Sequence, residues 1–218
     1  MRPTKLLTAP IALVLALSLA ACGAGDSSGG GGQSAQTTAA KASPQERAFL
    51  SAMVPHHRSA VAMASAAEGR LENVEIRRIQ SAIAKTQTAE IGQMESIHQR
   101  LVGAPLAPDE GAHMQLGLSA QEAGMDHMMG AQPIEQAAQP VDRAFIDEMV
   151  PHHRGAVVMA EVMLERSRDP ELLKLAEGIV DAQESEITTM NEVREREFGG
   201  PVEENEGAGG DDSGHSGS

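Results

Sequence analysis

His56-His57 and His152-His153 are the side chains best placed to do chemistry. Each pair sits in the same six-residue string, Met-Val-Pro-His-His-Arg, at 53–58 and again at 149–154. Neighbours on a helix differ by about 100°, so the two imidazoles of a pair flank an apolar stripe and reach different partners. Met53 lies four residues before His57 and Met63 seven after His56, which puts thioether sulfur on the same face. Met149 and Met159 repeat this around His152 and His153. Imidazole with thioether suits copper, because soft sulfur holds Cu(I) and imidazole accepts either oxidation state. Outside the cytoplasm, where thiols tend to be oxidised, methionine is the durable soft ligand. The competing reading makes the histidines hydrogen-bonded core residues and the methionines filler. The copies diverge between Ser65 and Arg78 yet keep the histidine string whole, which favours metal binding.

Gln87 and Glu90, with Gln183 and Glu186, are polar residues on an otherwise apolar helix face. A buried amide or carboxylate must find a partner, and the N–H of a metal-bound imidazole is one. The alternative places them at the rim of the fold, in contact with water. A looser group, His113, Met114, Met125, His127, Met128 and Met129, falls within 17 residues of a glycine-containing connection. Such a loop could wrap a soft ion, although its spacing matches no fixed geometry and its methionines could equally cover an apolar end.

Helices must position these side chains. Ala48–Ala66 and Ala144–Val162 are identical at 12 of 19 positions at an offset of 96. The same offset matches Ile83, Gln87, Glu90, Ile91 and Met94 to Ile179, Gln183, Glu186, Ile187 and Met190, so each copy is a two-segment unit. Phe49, Met53, His56, His57, Ala60, Met63, Ala64 and Ala67 share one face of a helix, with Arg58 pointing away. Ile76, Ile79, Ile83, Gln87, Glu90, Ile91, Met94, Ile97 and Leu101 share a face of the next, which Gly103 and Pro105 end. The chain is therefore read as all-α. Two copies of a helical hairpin, about 45–101 and 141–197, form an antiparallel four-helix bundle with a long crossover at 102–140. Pro55 and Pro151 either start a helix or interrupt one. Phe49 and Met53 stay in phase with Ala60 and Ala64, which favours one kinked helix.

The folded domain, 44–198, lies between segments of different character. Arg2 and Lys5, an apolar run from Leu6 to Leu19, and Leu-Ala-Ala before Cys22 read as an export signal over 1–21. That order is similar to the bacterial lipobox and implies lipid attachment at Cys22. The alternative is an ordinary secretory signal with a stray cysteine. Residues 22–43 read as a Gly/Ser-rich tether and 199–218 as a disordered acidic tail in which His215 is incidental. Loss of 1–21 leaves 15 Lys and Arg against 31 Asp and Glu, a charge of −16 that excludes nucleic acid as a partner and concentrates cations. With no Trp, no Tyr and three Phe, the core is built from Leu, Ile, Val, Ala and Met.

The two copies of Phe-x-x-x-Met-Val-Pro-His-His and Ala-Val-x-Met-Ala resemble the domain of unknown function 305 family over roughly residues 45–198. The resemblance implies a ferritin-like helical bundle, export, an association with copper, and metal-binding roles for Met53, His56, His57, Met63, Met149, His152, His153 and Met159. A ferritin-like fold also raises a di-iron enzyme. Such a site needs paired Glu-x-x-His motifs. Glu95-Ser-Ile-His98 fits, but the second copy carries Asn191 and Arg194 at those places. With no nucleophile triad, phosphate loop or cysteine-based zinc site in view, the chain is expected not to be an enzyme. The expectation is a copper-binding lipoprotein on the outer face of the cytoplasmic membrane or elsewhere in the envelope. It would buffer, sequester or deliver copper, and a copper-handling envelope protein is its expected partner. The alternative is a metal-free envelope lipoprotein that docks other proteins through its acidic surface.

Overall fold

The structure, a computed structural model, describes residues 41–202. The export signal, Cys22, the tether to residue 40 and the tail beyond Val202 lie outside the described residues. Five α-helices follow in order: α1 Pro44–Ala67, α2 Val74–Val102, α3 Ala131–Gln136, α4 Asp142–Arg166 and α5 Pro170–Phe198. Short 3-10 segments at Glu110–Leu116 and Met125–His127 lie with α3 in the crossover. Among the described residues no helix is long and apolar enough to cross a membrane.

Local chemistry explains the boundaries. Ser43 and Glu46 form a reciprocal capping box at α1, while Asn73 and Asp169 cap α2 and α5 with their side chains. Gly103 (φ 75°) and Gly199 (φ 85°) end the two long helices in the left-handed region that favours glycine. Both α1 and α4 run unbroken through Pro55 and Pro151. At Pro55 the carbonyl of Ser51 loses its helical donor, and the N–H of Asp109 in the crossover donates to it at 2.9 Å.

α1 packs on α2 and α4, and α5 on α4 and α2, which closes a four-helix bundle. Its interior is divided. Phe49, Leu50, Met53, Met94, Met159, Met163 and Ile179 belong to one apolar cluster. Met63, Ile76, Ile83, Phe145, Ile146, Met149 and Met190 belong to the other. The first draws on the N-terminal half of α1 and the C-terminal half of α4, the second on the reverse, so the clusters fill opposite ends. Burying each such side chain contributes about 1.5–3 kcal/mol. The mid-helix positions between them are occupied by histidine and glutamine.

A reciprocal clasp ties the halves. Glu46 accepts a hydrogen bond from Ser167 Oγ at 2.7 Å, in the turn between α4 and α5. Its counterpart at the offset of 96, Asp142, accepts the backbone N–H groups of Glu72 and Asn73 at 2.9 and 2.8 Å, in the turn between α1 and α2. Burial raises the Glu46 carboxyl, but hydrogen bonds from Ser167 and Ser43 outweigh it and hold the group below its ordinary value.

Candidate metal centre

Four imidazoles and two amides form a polar layer across the middle of the bundle, and His56, His57, His152 and His153 are wholly buried there. The His56 and His152 rings lie against each other with centroids 3.8 Å apart and planes tilted by 37°. The outer pair point elsewhere, as the 100° step requires. His57 Nε2 donates to Glu90 Oε2 at 2.9 Å, and His153 Nε2 donates to Glu186 Oε2 at 2.8 Å. Because an ionised carboxylate can only accept, it fixes the hydrogen on Nε2 and turns the Nδ1 lone pair inward.

Those lone pairs meet no donor. His57 Nδ1, His153 Nδ1, both nitrogens of His56 and of His152, and both amide atoms of Gln87 and Gln183 lack a hydrogen-bond partner in good geometry among the described residues, although the Ala123 backbone approaches the His56 ring. Six of these ten buried atoms carry a lone pair, namely Nδ1 of His57 and His153, one nitrogen of each neutral His56 and His152 ring, and the Gln87 and Gln183 amide oxygens; with each unsatisfied atom costing roughly 1–3 kcal/mol, the layer suits a ligand that takes lone pairs. Burial first, and then the neighbouring His57 and His153, push the His56 ring well below the ordinary histidine value. Burial and then His56 and His153 do the same to His152. Both rings are therefore neutral at pH 7 and carry lone pairs able to bind a metal. Among the described residues, no three His, Asp or Glu side chains converge as a ready-made metal site. The donors form a layer, with sulfur beside it: Met53 and Met159 in one apolar cluster, Met63 and Met149 in the other.

Glu90 and Glu186 thus each contact an imidazole Nε2, while Gln87 and Gln183 are buried without a protein partner. The six crossover residues have different surroundings. Met114 and Met129 are among the most exposed apolar side chains, and the His113 ring is tied to the Glu110 carbonyl at 2.7 Å. Met125 packs on the first apolar cluster, and His127 Nδ1 faces Glu148 Oε2 at 3.4 Å. The carbonyl of Met128 accepts from Ser59 Oγ at 2.8 Å. His98, the single match to a di-iron motif, turns instead to the Ala104 carbonyl at 2.9 Å.

The crossover roofs the histidine layer. Gly124, at φ 66°, passes so close that a Cβ on it would lie 3.3 Å from His56 Nε2 and 3.1 Å from the His152 carbonyl. Sequence reasoning missed this roof and the Glu46–Asp142 clasp. The clasp had a signal: the repeat extends back to Glu-Arg-Ala-Phe at 46–49 and Asp-Arg-Ala-Phe at 142–145.

With this geometry in hand, the relatives are informative. The DUF305 family, a domain of unknown function, matches residues 46–194. The chain belongs to the DUF305 family. A DUF305 fragment from Deinococcus radiodurans is 31% identical with a TM-score of 0.58, over 72% of this chain and 99% of that one. A Streptomyces coelicolor DUF305 protein described as secreted is 26% identical with a TM-score of 0.64, over 73% and 98%. CopM in its Cu(I)-bound form is 27% identical with a TM-score of 0.57, over 71% and 98%. CopM has also been solved in a Cu(II)-bound form. An uncharacterized protein of Acanthamoeba polyphaga mimivirus, L153, is 35% identical over 52 residues, about a third of its length.

Proposed function

We propose that this chain is an extracytoplasmic copper-binding lipoprotein that buffers, sequesters or delivers copper, and that it is a binding protein and not an enzyme. The observation that carries the reading is the inward-facing Nδ1 of His57 and His153, fixed by Glu90 and Glu186 and unpartnered within the layer. His56 and His152 would supply further imidazole nitrogen, and Met53, Met63, Met149 and Met159 the soft sulfur that Cu(I) prefers. Neutral rings bind metal at pH 7 without first losing a proton. The Cu(I)- and Cu(II)-bound forms of CopM support the choice of metal, and the secreted Streptomyces relative supports export. Anchoring rests on Leu-Ala-Ala-Cys22. A copper-handling protein of the envelope is the natural donor or recipient.

Competition titration against chelators, done separately for each oxidation state, tests the assignment. Replacing His56, His57, His152 and His153 together with Ala should abolish most Cu(II) binding at neutral pH. Replacing Met53, Met63, Met149 and Met159 with Leu, which roughly keeps volume, should instead weaken Cu(I) retention. Unchanged binding of both ions in the histidine variant overturns the copper reading and leaves the metal-free docking module. Cys22→Ser should release the protein from membranes or leave it unprocessed; a variant still membrane-bound with wild-type mobility removes the anchor.

A further inference from the structure

A layer that is wholly buried needs a route in, and the roof and the α2/α5 face are two surfaces to compare. Across the roof, an ion must part backbone from backbone. A Cβ on Gly155 would fall within the van der Waals radii of Ala123 C and Gly124 N, and Ser59 holds Met128 beyond. On the far side of the bundle, α2 and α5 enclose a groove of about 720 Å³. Ile97 and Leu175 form its buried floor, Gly92 and Gly178 line it, and Glu90 stands in its wall. Glu90 has 17% of its side chain exposed there while Oε2 touches His57 Nε2 at 2.9 Å. One carboxylate therefore borders both solvent and the buried ring, and moving it takes a side-chain rotation rather than a backbone displacement. The groove's other charges are Glu171, which Arg100 engages at 2.9 Å, and Lys174. Gln87, one helical turn before Glu90, adds a buried amide with both polar atoms unpartnered.

Resting on the copper reading, we infer that the α2/α5 groove is the admission route for the cation, with Glu90 as a transient ligand that releases the His57 Nε2–H, receives a hydrated copper ion and carries it past the ring edge toward Nδ1. The route is one-sided. A Cβ on Gly92 or Gly178 would meet nothing within 4 Å, so these glycines leave room in the groove. Glu186 is exposed to a similar extent, 16%, but at the offset of 96 the other copy carries Thr188 and Ala82 in place of the two glycines, side chains that would narrow the matching approach. Loading begins at the His57 end of the layer even though the two His–Glu pairs have the same geometry.

Gly92→Leu tests this without touching a ligand, and the open space around Gly92 and leucine's better helix propensity favour its folding. Cu(II) is mixed with unaltered protein, Gly92→Leu and the mirror variant Thr188→Leu in a stopped-flow instrument, and equilibrium affinity is measured on the same samples. The expected result is an association rate lowered about tenfold or more in Gly92→Leu, with affinity unchanged because dissociation slows equally, and no rate change in Thr188→Leu. Glu90→Gln should slow loading more than Glu186→Gln. An unchanged rate in Gly92→Leu, or equal slowing in both leucine variants, overturns the route while leaving copper binding intact. Failure of the unaltered protein to bind Cu(II) overturns the copper reading and this inference with it.

Discussion

Ser59 and Gly155 hold the same place in the two copies, and the crossover rests on both, but by opposite means. Ser59 reaches up with a hydroxyl to the Met128 carbonyl at 2.8 Å. Gly155 has no side chain and lets the Ala123–Gly124 backbone settle directly on the helix. Below them the halves agree closely, with His–Glu contacts of 2.9 and 2.8 Å. A single strap cannot obey the symmetry of a duplicated support, so the duplication is kept where side chains face the interior and lost where they face the crossover. The inner layer sets what can be bound, and the asymmetric exterior sets how it is reached.

Breaking the glycine side should have the larger effect. Gly155→Ala would normally help a helix by about 1 kcal/mol. Here the new methyl collides with backbone, which cannot swing aside, so the cost falls at the upper end for overpacking, about 3 kcal/mol. A net loss of about 2 kcal/mol should appear as a melting temperature lower by roughly 4–8 °C. Calorimetry that finds Gly155→Ala as stable as the parent would show that the strap does not press on this helix.

The symmetric layer has its own signature, in pH. His56 and His152 hold protons more weakly when folded than the ordinary value near 6.5, for the burial reasons given above. Below about pH 6.5 the unfolded chain therefore binds more protons than the folded one, so the stability these rings permit is present above that pH and lost as pH falls through it. Metal-free protein should lose stability steadily between pH 7 and about 5.5, before carboxylates such as Asp169, held low first by its hydrogen bond from Arg100, begin to protonate. Replacing both rings with Leu should flatten that window and, by removing unsatisfied polar atoms, leave the apo protein at least as stable at pH 7. Chemical denaturation across pH checks both; an unaltered slope in the double variant would place the titration elsewhere.

Residues that act within one helix were legible from sequence. The 100° step already assigned His56 and His57 to different neighbours, the preserved phase across Pro55 favoured one helix there, and Gly103 marked the end of α2 where it occurs. The layer itself was half legible: Glu90 could be placed near an imidazole, but which ring nitrogen it would fix depends on how α1 meets α2. Features built between distant segments left little trace. The Ser51 carbonyl finds its donor at Asp109, and the roof depends on backbone contact that no periodicity encodes. The surroundings of the six His and Met residues of the crossover were not legible either: Met114 and Met129 face solvent, Met125 the core and His127 Glu148 of α4, because the 3-10 turns set each separately.

The smallest effect belongs to the serine side. Ser59→Ala removes the hydroxyl and leaves the Met128 carbonyl without its donor, at a cost of about 1 kcal/mol for a neutral hydrogen bond of this kind. The change makes no new contact, so the strap should stay in place but open more often at that end. Hydrogen exchange of the backbone amides around Met128–Gly130 should quicken in Ser59→Ala while those at Gly124 and Met125 stay protected by the seat on Gly155. Ser59→Gly should give the same local quickening with an added helix-propensity loss of roughly half a kcal/mol, because a glycine at 59 lacks the opposing backbone that makes the glycine at 155 useful. If exchange instead quickened equally along the whole crossover, the strap would lift as one body, and the two supports would have to be treated as one.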